Sequence, residues 1–190
     1  MEALEIPTGG SSPRTAWLRI VGLSTGAAVL YGIVHDQVTV RICREYFSVF
    51  HPRILDTDDP SLLALFWGVF ATWWAGAVLG GILAAAARAG ARPRTDPAEL
   101  AEPVGVLLLA MAGAAAAAGI VGRALARSGA VIVWPPDLAA RIPEAEHVNF
   151  LTCLWIHNAS YAAGFLGGGF LAWRTWRRRA GAPRPPEVTA

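Results

Sequence analysis

Lysine is absent from this 190-residue chain, and all 16 basic residues are arginine. That fits a GC-rich coding bias as well as any physical selection. Charge is sparse altogether, with Asp, Glu, Lys and Arg making up 16% of residues and a formal net charge of +2. The arginines stand in several short flanks, with neither aromatic interleaving nor a basic face, which argues against a nucleic-acid-binding surface. Cysteine is nearly missing as well. Cys43 and Cys153 lie in different segments and form no CxxC pair, so a thioredoxin-like or zinc-ribbon motif is not encoded.

Apolar residues fill the chain instead, 54% of the total, in runs too long for an ordinary soluble domain. Windows of about twenty residues, the length that crosses a hydrocarbon core, occur over 16–34, 62–84, 104–122 and 148–173. Each is expected to be a helix, because a lone span in lipid must satisfy its own backbone hydrogen bonds. The links DTDDP, RAGARPRTDPAELAEP and WPPDLAARIPEAEH carry turn and loop chemistry. The expected fold is therefore all-α, an integral membrane four-helix bundle forming one domain over 1–190, with consecutive helices as antiparallel neighbours. Small residues recur four apart in every span: Gly22 and Gly26, Gly76 and Gly80, Ala112 and Ala116, Gly164 and Gly168. Such spacing lets helix backbones approach closely.

The arginines beside the spans set the expected orientation. Arg14, Arg19, Arg88, Arg92, Arg94, Arg174, Arg177, Arg178, Arg179 and Arg184 fall on one side, and Arg41, Arg44, Arg53, Arg123, Arg127 and Arg141 on the other. The excess places both termini of a multi-pass protein in the cytoplasm. The first span follows a polar, partly acidic stretch and has a core longer than a signal-peptide h-region, so it reads as a retained helix. The RTWRRR run at 174–179 reads either as an inner-face anchor on anionic lipid or as a solvated basic end.

All four histidines, His35, His51, His147 and His157, lie in or beside the outer half of the first or fourth helix. With Trp17 and Trp173 as inner interface anchors, His35 stands roughly 27 Å above one and His157 roughly 24 Å above the other, at about 1.5 Å per residue. The two share one level. Helical phase puts His35 and Thr39 on an inward face, and lines up Asn149, Cys153, His157, Ser160 and Gly164 as a polar and small stripe. An ionisable group at such depth is a functional-site candidate by default. The candidate polar cluster is His35, Asp36, Thr39, Glu45, His51, His147, Cys153 and His157.

Two classes of function compete for that cluster. In the favoured one the protein is a non-enzymatic binding or accessory protein, its polar groups holding the bundle together or meeting a membrane-protein partner or a second copy within the lipid bilayer. In the other, His35, Asp36, Glu45 and His157 ligate a metal ion, or two facing histidines ligate haem, in a redox protein or enzyme acting at the outer face. Acid/base chemistry by His157 with Asp36 or Glu45 is a further option, and Ser160 would complete only a weak triad. Cys43 and Cys153 could pair as a disulfide or remain free. The NAS sequon at Asn158 lies inside a span and is discarded. The segment 35–60 reads as a polar, amphipathic, surface-lying extension, with Tyr46, Phe47 and Phe50 as interface aromatics.

The run Tyr31, Gly32, then HDQVT at 35–39, EYF at 45–47 and HP at 51–52 resembles the block that follows the first helix in an uncharacterised family of bacterial multi-pass membrane proteins. The similarity covers roughly twenty residues and extends loosely to HVNFLTCLWIHNASYAAG at 147–164. It implies an inner-membrane location and says little about activity.

Overall fold

A computed structural model describes residues 12–181. Among them there is no strand. The helices are α1 (Pro13–Thr39), α2 (Pro60–Phe70), α3 (Trp73–Arg88), α4 (Ala101–Arg127), α5 (Pro136–Arg141) and α6 (His147–Gly181), joined by a π-helical turn at Tyr46–Phe50 and 3-10 turns at Pro97–Leu100 and Glu144–Glu146. The expected cytoplasmic termini, and Arg184 with them, lie outside the described residues.

The helix starts follow from their caps. Ser12 accepts a hydrogen bond from the Thr15 amide ahead of Pro13, and Asp59 accepts one from the Leu62 amide ahead of Pro60. Asp96 and Glu99 form a reciprocal capping box ahead of α4. Each satisfies amide groups that the first turn leaves free, and proline at the first position costs no hydrogen bond.

Pro13–Thr39, Pro60–Arg88 and Pro97–Arg127 are long and apolar enough to cross a membrane. α6 is the longest helix at 35 residues, yet it does not join them, because His157, Asn158, Ser160 and Tyr161 interrupt its apolar run. Leu30, Val34, Leu109, Ile120, Leu166 and Phe170 are all more than half exposed. In water such a belt would be an aggregation liability; in lipid it costs nothing.

The packing departs from a simple sequential order. α1 packs along α2 and α3, and α6 packs along α4 and α3, whereas α3 and α4 are not packed neighbours. The long link at 89–100 lets the chain cross over before α4 begins, so the expectation that all consecutive helices are adjacent fails at that step. α1 and α6 also make little close backbone approach.

Glycines explain the tight α1 seam. A Cβ on Gly68 would stand 2.6 Å from the Ile33 Cα, and one on Gly76 would stand 2.7 Å from the Ala28 Cβ and 2.8 Å from the Thr25 Cα. The other expected small-residue pairs behave differently. Gly22 and Gly26 face open space, and Ala112 and Ala116 are exposed.

Two buried clusters result, one at each end. Val40, Cys43, Tyr46, Phe47, Trp67 and Phe150 belong to the first, at the His35 end. Ile20, Leu83, Ala84, Leu100, Val104 and Leu171 belong to the second, at the opposite end. Beside the second cluster Arg179, only 4% exposed, donates to the carbonyls of Pro93, Ala86, Ala89 and Arg92. This residue of the RTWRRR run is therefore neither a lipid anchor nor a solvated end; it closes off carbonyls at the end of α3 and in the link that follows it.

The segment after α1 is a second correction. The helix stops at Thr39 and the chain folds back, burying Tyr46 and Phe47 at 4% and 2% exposure. Helical phase therefore has no meaning beyond Thr39, and these two rings are core, while Phe50 is exposed.

Candidate functional site: a histidine and aspartate pair between two helices

Heptad-like spacing places the groups. On α1, Tyr31 and His35 are one turn apart and Asp36 follows directly; on α6, Cys153, His157, Ser160 and Gly164 recur at four, three and four residues, which keeps them on one face. The two faces meet through side chains. Tyr31 OH and Ser160 Oγ are 2.9 Å apart, His157 Nε2 is 3.3 Å from Asp36 Oδ1, and Cys153 Sγ–H donates to the Thr39 carbonyl at 3.4 Å. The rings of His35 and His157 touch edge to face with centroids 4.7 Å apart.

Asp36 and His157 are 6% and 5% exposed. Their burial is completed from above by the fold-back, where the Tyr46 ring stacks on His157 with centroids 4.4 Å apart and an interplanar angle of 25°. Phe47 and Phe150 close the same roof. A charge buried this deeply is tolerated only with a partner.

The geometry fixes one proton of the pair. His157 Nδ1 lies 2.8 Å from the Cys153 carbonyl, which can only accept, so Nδ1 carries a hydrogen and donates. Nε2 faces the Asp36 carboxyl.

The same geometry fits a metal. Fixing Nδ1–H on a backbone carbonyl is the usual way to present Nε2 as a ligand. The 3.3 Å separation from Asp36 Oδ1 is long for a charge-assisted hydrogen bond, about 2.7–2.9 Å, and close to the spacing of about 3.3–3.4 Å between two ligands bonded at about 2.0–2.1 Å to a tetrahedral ion. His35 Nε2 is buried without a hydrogen-bond partner. Ligand atoms of His35, Asp36 and His157 all lie within 4.8 Å of one another.

The remaining sequence candidates are placed elsewhere. Glu45 does not join the histidines but stands with Cys43 and Glu146, again with ligand atoms within 4.8 Å. Burial first, and then the Glu45 carboxylate beside it, push the Cys43 thiol up to about 12. His51 Nδ1 donates to the Tyr46 carbonyl at 2.7 Å, and its ring packs on Trp67; burial holds its imidazole below the ordinary value. His147 Nε2 reaches the carbonyls of Ala139 and Ile142 and so fastens the chain ahead of α6. Thr39 Oγ1–H donates to the His35 carbonyl within α1. Cys43 and Cys153 are both free and buried.

Two chemistries are disfavoured by this arrangement. Ser160 Oγ is paired with Tyr31, and both ring nitrogens of His157 are already engaged by Cys153 and Asp36, so no base is left for a serine nucleophile. A haem held by both histidines would need its porphyrin plane between two rings that are already in edge contact.

Sequence reasoning missed Tyr31 and Tyr46. Tyr31 was within reach of it, one turn before His35 on the same face. Tyr46 was not, because its contact depends on a reversal of the chain. No known family matches the sequence, and neither curated proteins nor solved structures give a match.

Proposed function

We propose that the chain is a four-helix inner-membrane protein, with α6 as its fourth span and the His35 end extracytoplasmic, that binds a divalent transition metal through His35, Asp36 and His157. The observation that carries this reading is the presentation of His157 Nε2 beside Asp36 Oδ1, with Nδ1 fixed on the Cys153 carbonyl. Two imidazoles and one carboxylate suit zinc or iron(II). The arginine excess at the Arg179 end supports the orientation, and the resemblance of the HDQVT, EYF and HP block agrees with an inner-membrane location.

A second reading keeps the same pair as interhelical polar glue in a binding or accessory protein. The Tyr31 and Ser160 hydrogen bond favours it, since it joins the same two helices with no ligand at all. Metal analysis of purified protein separates the two. One equivalent of metal, lost in His35→Ala while the protein stays folded, is expected for a metal site; a metal-free protein that takes up neither zinc nor iron(II) would overturn it.

A further inference from the structure

At the Arg179 end a hollow of about 230 Å³ lies between the link that follows α3, the start of α4 and the last turns of α6. It is larger than the space of about 150 Å³ that admits one benzene ring. Arg179 shapes it by holding the carbonyls of Arg92 and Pro93, which brings the link, and Arg94 with it, to the side of α6. There Arg174 and Arg178 stand one turn apart, on the face that also carries Leu171 and Thr175.

Arg94, Arg174 and Arg178 all line the hollow and are exposed. No carboxylate answers them. Among the described residues the ion pairs are Arg53 with Asp56 and His157 with Asp36, both away from this end. Glu99, the one acid in the lining, is taken up by the capping box, where its Oε1 accepts from the Asp96 amide. Arg88, Arg92 and Arg94 also crowd the Arg179 guanidinium with charge of the same sign, a repulsion that a bound anion would relieve. The rest of the wall is apolar, formed by Leu100, Pro103 and Leu171. Guanidinium groups match phosphate oxygens in forked pairs, and an apolar wall beside them suits what a phosphate in a bilayer is attached to. Trp173 and Trp176, exposed on the same turns of α6, are the residue type that settles at headgroup level.

We infer that this hollow binds one anionic phospholipid, its phosphate held by Arg94, Arg174 and Arg178 and its glycerol and first acyl carbons lying on Leu100, Pro103 and Leu171. A headgroup that carries its own cation is disfavoured, because the surrounding arginines repel it. The site is separate from the histidine and aspartate pair. It needs neither a metal there nor a particular direction of crossing the bilayer.

The purified full chain, stripped of lipid in detergent and titrated by native mass spectrometry, tests this with three probes. These are phosphatidylglycerol, phosphatidylcholine with the same acyl chains, and glycerol 1-phosphate, which has the phosphate and no chains. One phosphatidylglycerol is expected to bind at least about tenfold more tightly than either of the others. Arg94→Gln is expected to weaken it about fivefold, and Arg174→Gln combined with Arg178→Gln about twentyfold, at the usual contribution of one arginine near an anionic surface. Arg177→Gln, which removes a guanidinium that lies over the Trp173 ring and does not line the hollow, is expected to change it less than about twofold. The lining arginines are exposed, and either lining variant with an unchanged thermal midpoint suffices for the comparison. Equal affinity for the two lipids, or an equal loss from Arg177→Gln and the lining variants, overturns the inference in favour of diffuse surface charge; glycerol 1-phosphate binding as tightly as the lipid overturns it in favour of a soluble phosphate ester.

Discussion

Asp36 Oδ1 and His157 Nε2 face each other at 3.3 Å across two helices whose backbones make little close approach. The pair thus does by side chains what packing does elsewhere in the protein. Removing one partner leaves the other buried without compensation. Asp36→Ala is expected to lower unfolding stability in detergent by about 3 kcal/mol, and a double-mutant cycle with His157→Ala should return a coupling of about 1–3 kcal/mol. Additive losses would show that the two groups act separately.

A metal on His157 Nε2 and Asp36 competes with protons for the same atoms. Affinity is therefore expected to rise with pH. Isothermal titration in buffers of different ionisation enthalpy should register proton release on metal binding. Chelator treatment is expected to lower the thermal midpoint of the loaded protein, and a midpoint that ignores both chelator and added metal would speak against the site.

The α1 seam should be intolerant of a single methyl group where backbones meet. Gly68→Ala places a Cβ 2.6 Å from the Ile33 Cα, an overlap that is expected to cost about 1–3 kcal/mol. Gly22→Ala, which meets nothing within 4 Å, should be neutral or slightly stabilising through helix propensity. Thermal unfolding of both variants gives the comparison, and equal midpoints would be the wrong outcome.

His51 should make the protein sensitive to acid. Burial lowers its folded pKa below the ordinary 6.5, so the unfolded chain binds the proton more readily and stability rises with pH. The contribution is full above the unfolded value and declines as pH falls through it. His51→Gln keeps a donor for the Tyr46 carbonyl and removes the titration. Its thermal midpoint is expected to follow pH less steeply than that of wild type between roughly pH 8 and pH 5; parallel profiles would assign the acid sensitivity to other groups.

Much of the helical framework can be read directly from the residues. Apolar runs of membrane length mark Pro13–Thr39, Pro60–Arg88 and Pro97–Arg127, and periodicity alone aligns Cys153, His157 and Ser160. The interruption at Ala71 and Thr72 leaves no local sign, since the apolar run continues through it. The fold-back after Thr39 is hidden for a different reason. Its arginines and aromatics have the composition of a membrane surface, and only the later arrival of Trp67 and Phe150 makes burial of Tyr46 and Phe47 the better outcome. Glu45 is the matching case among polar residues: its neighbour Glu146 lies about a hundred positions away, and no local pattern links them.

Arg179 bears on how the protein comes into being. Its guanidinium reaches carbonyls at Ala86, Ala89, Arg92 and Pro93, all translated long before it. During synthesis the end of α3 must therefore wait, its acceptors open, until the last turns of α6 leave the ribosome. The last helix among the described residues then acts as a clasp, and a nascent chain released before residue 179 would leave those four carbonyls without this donor.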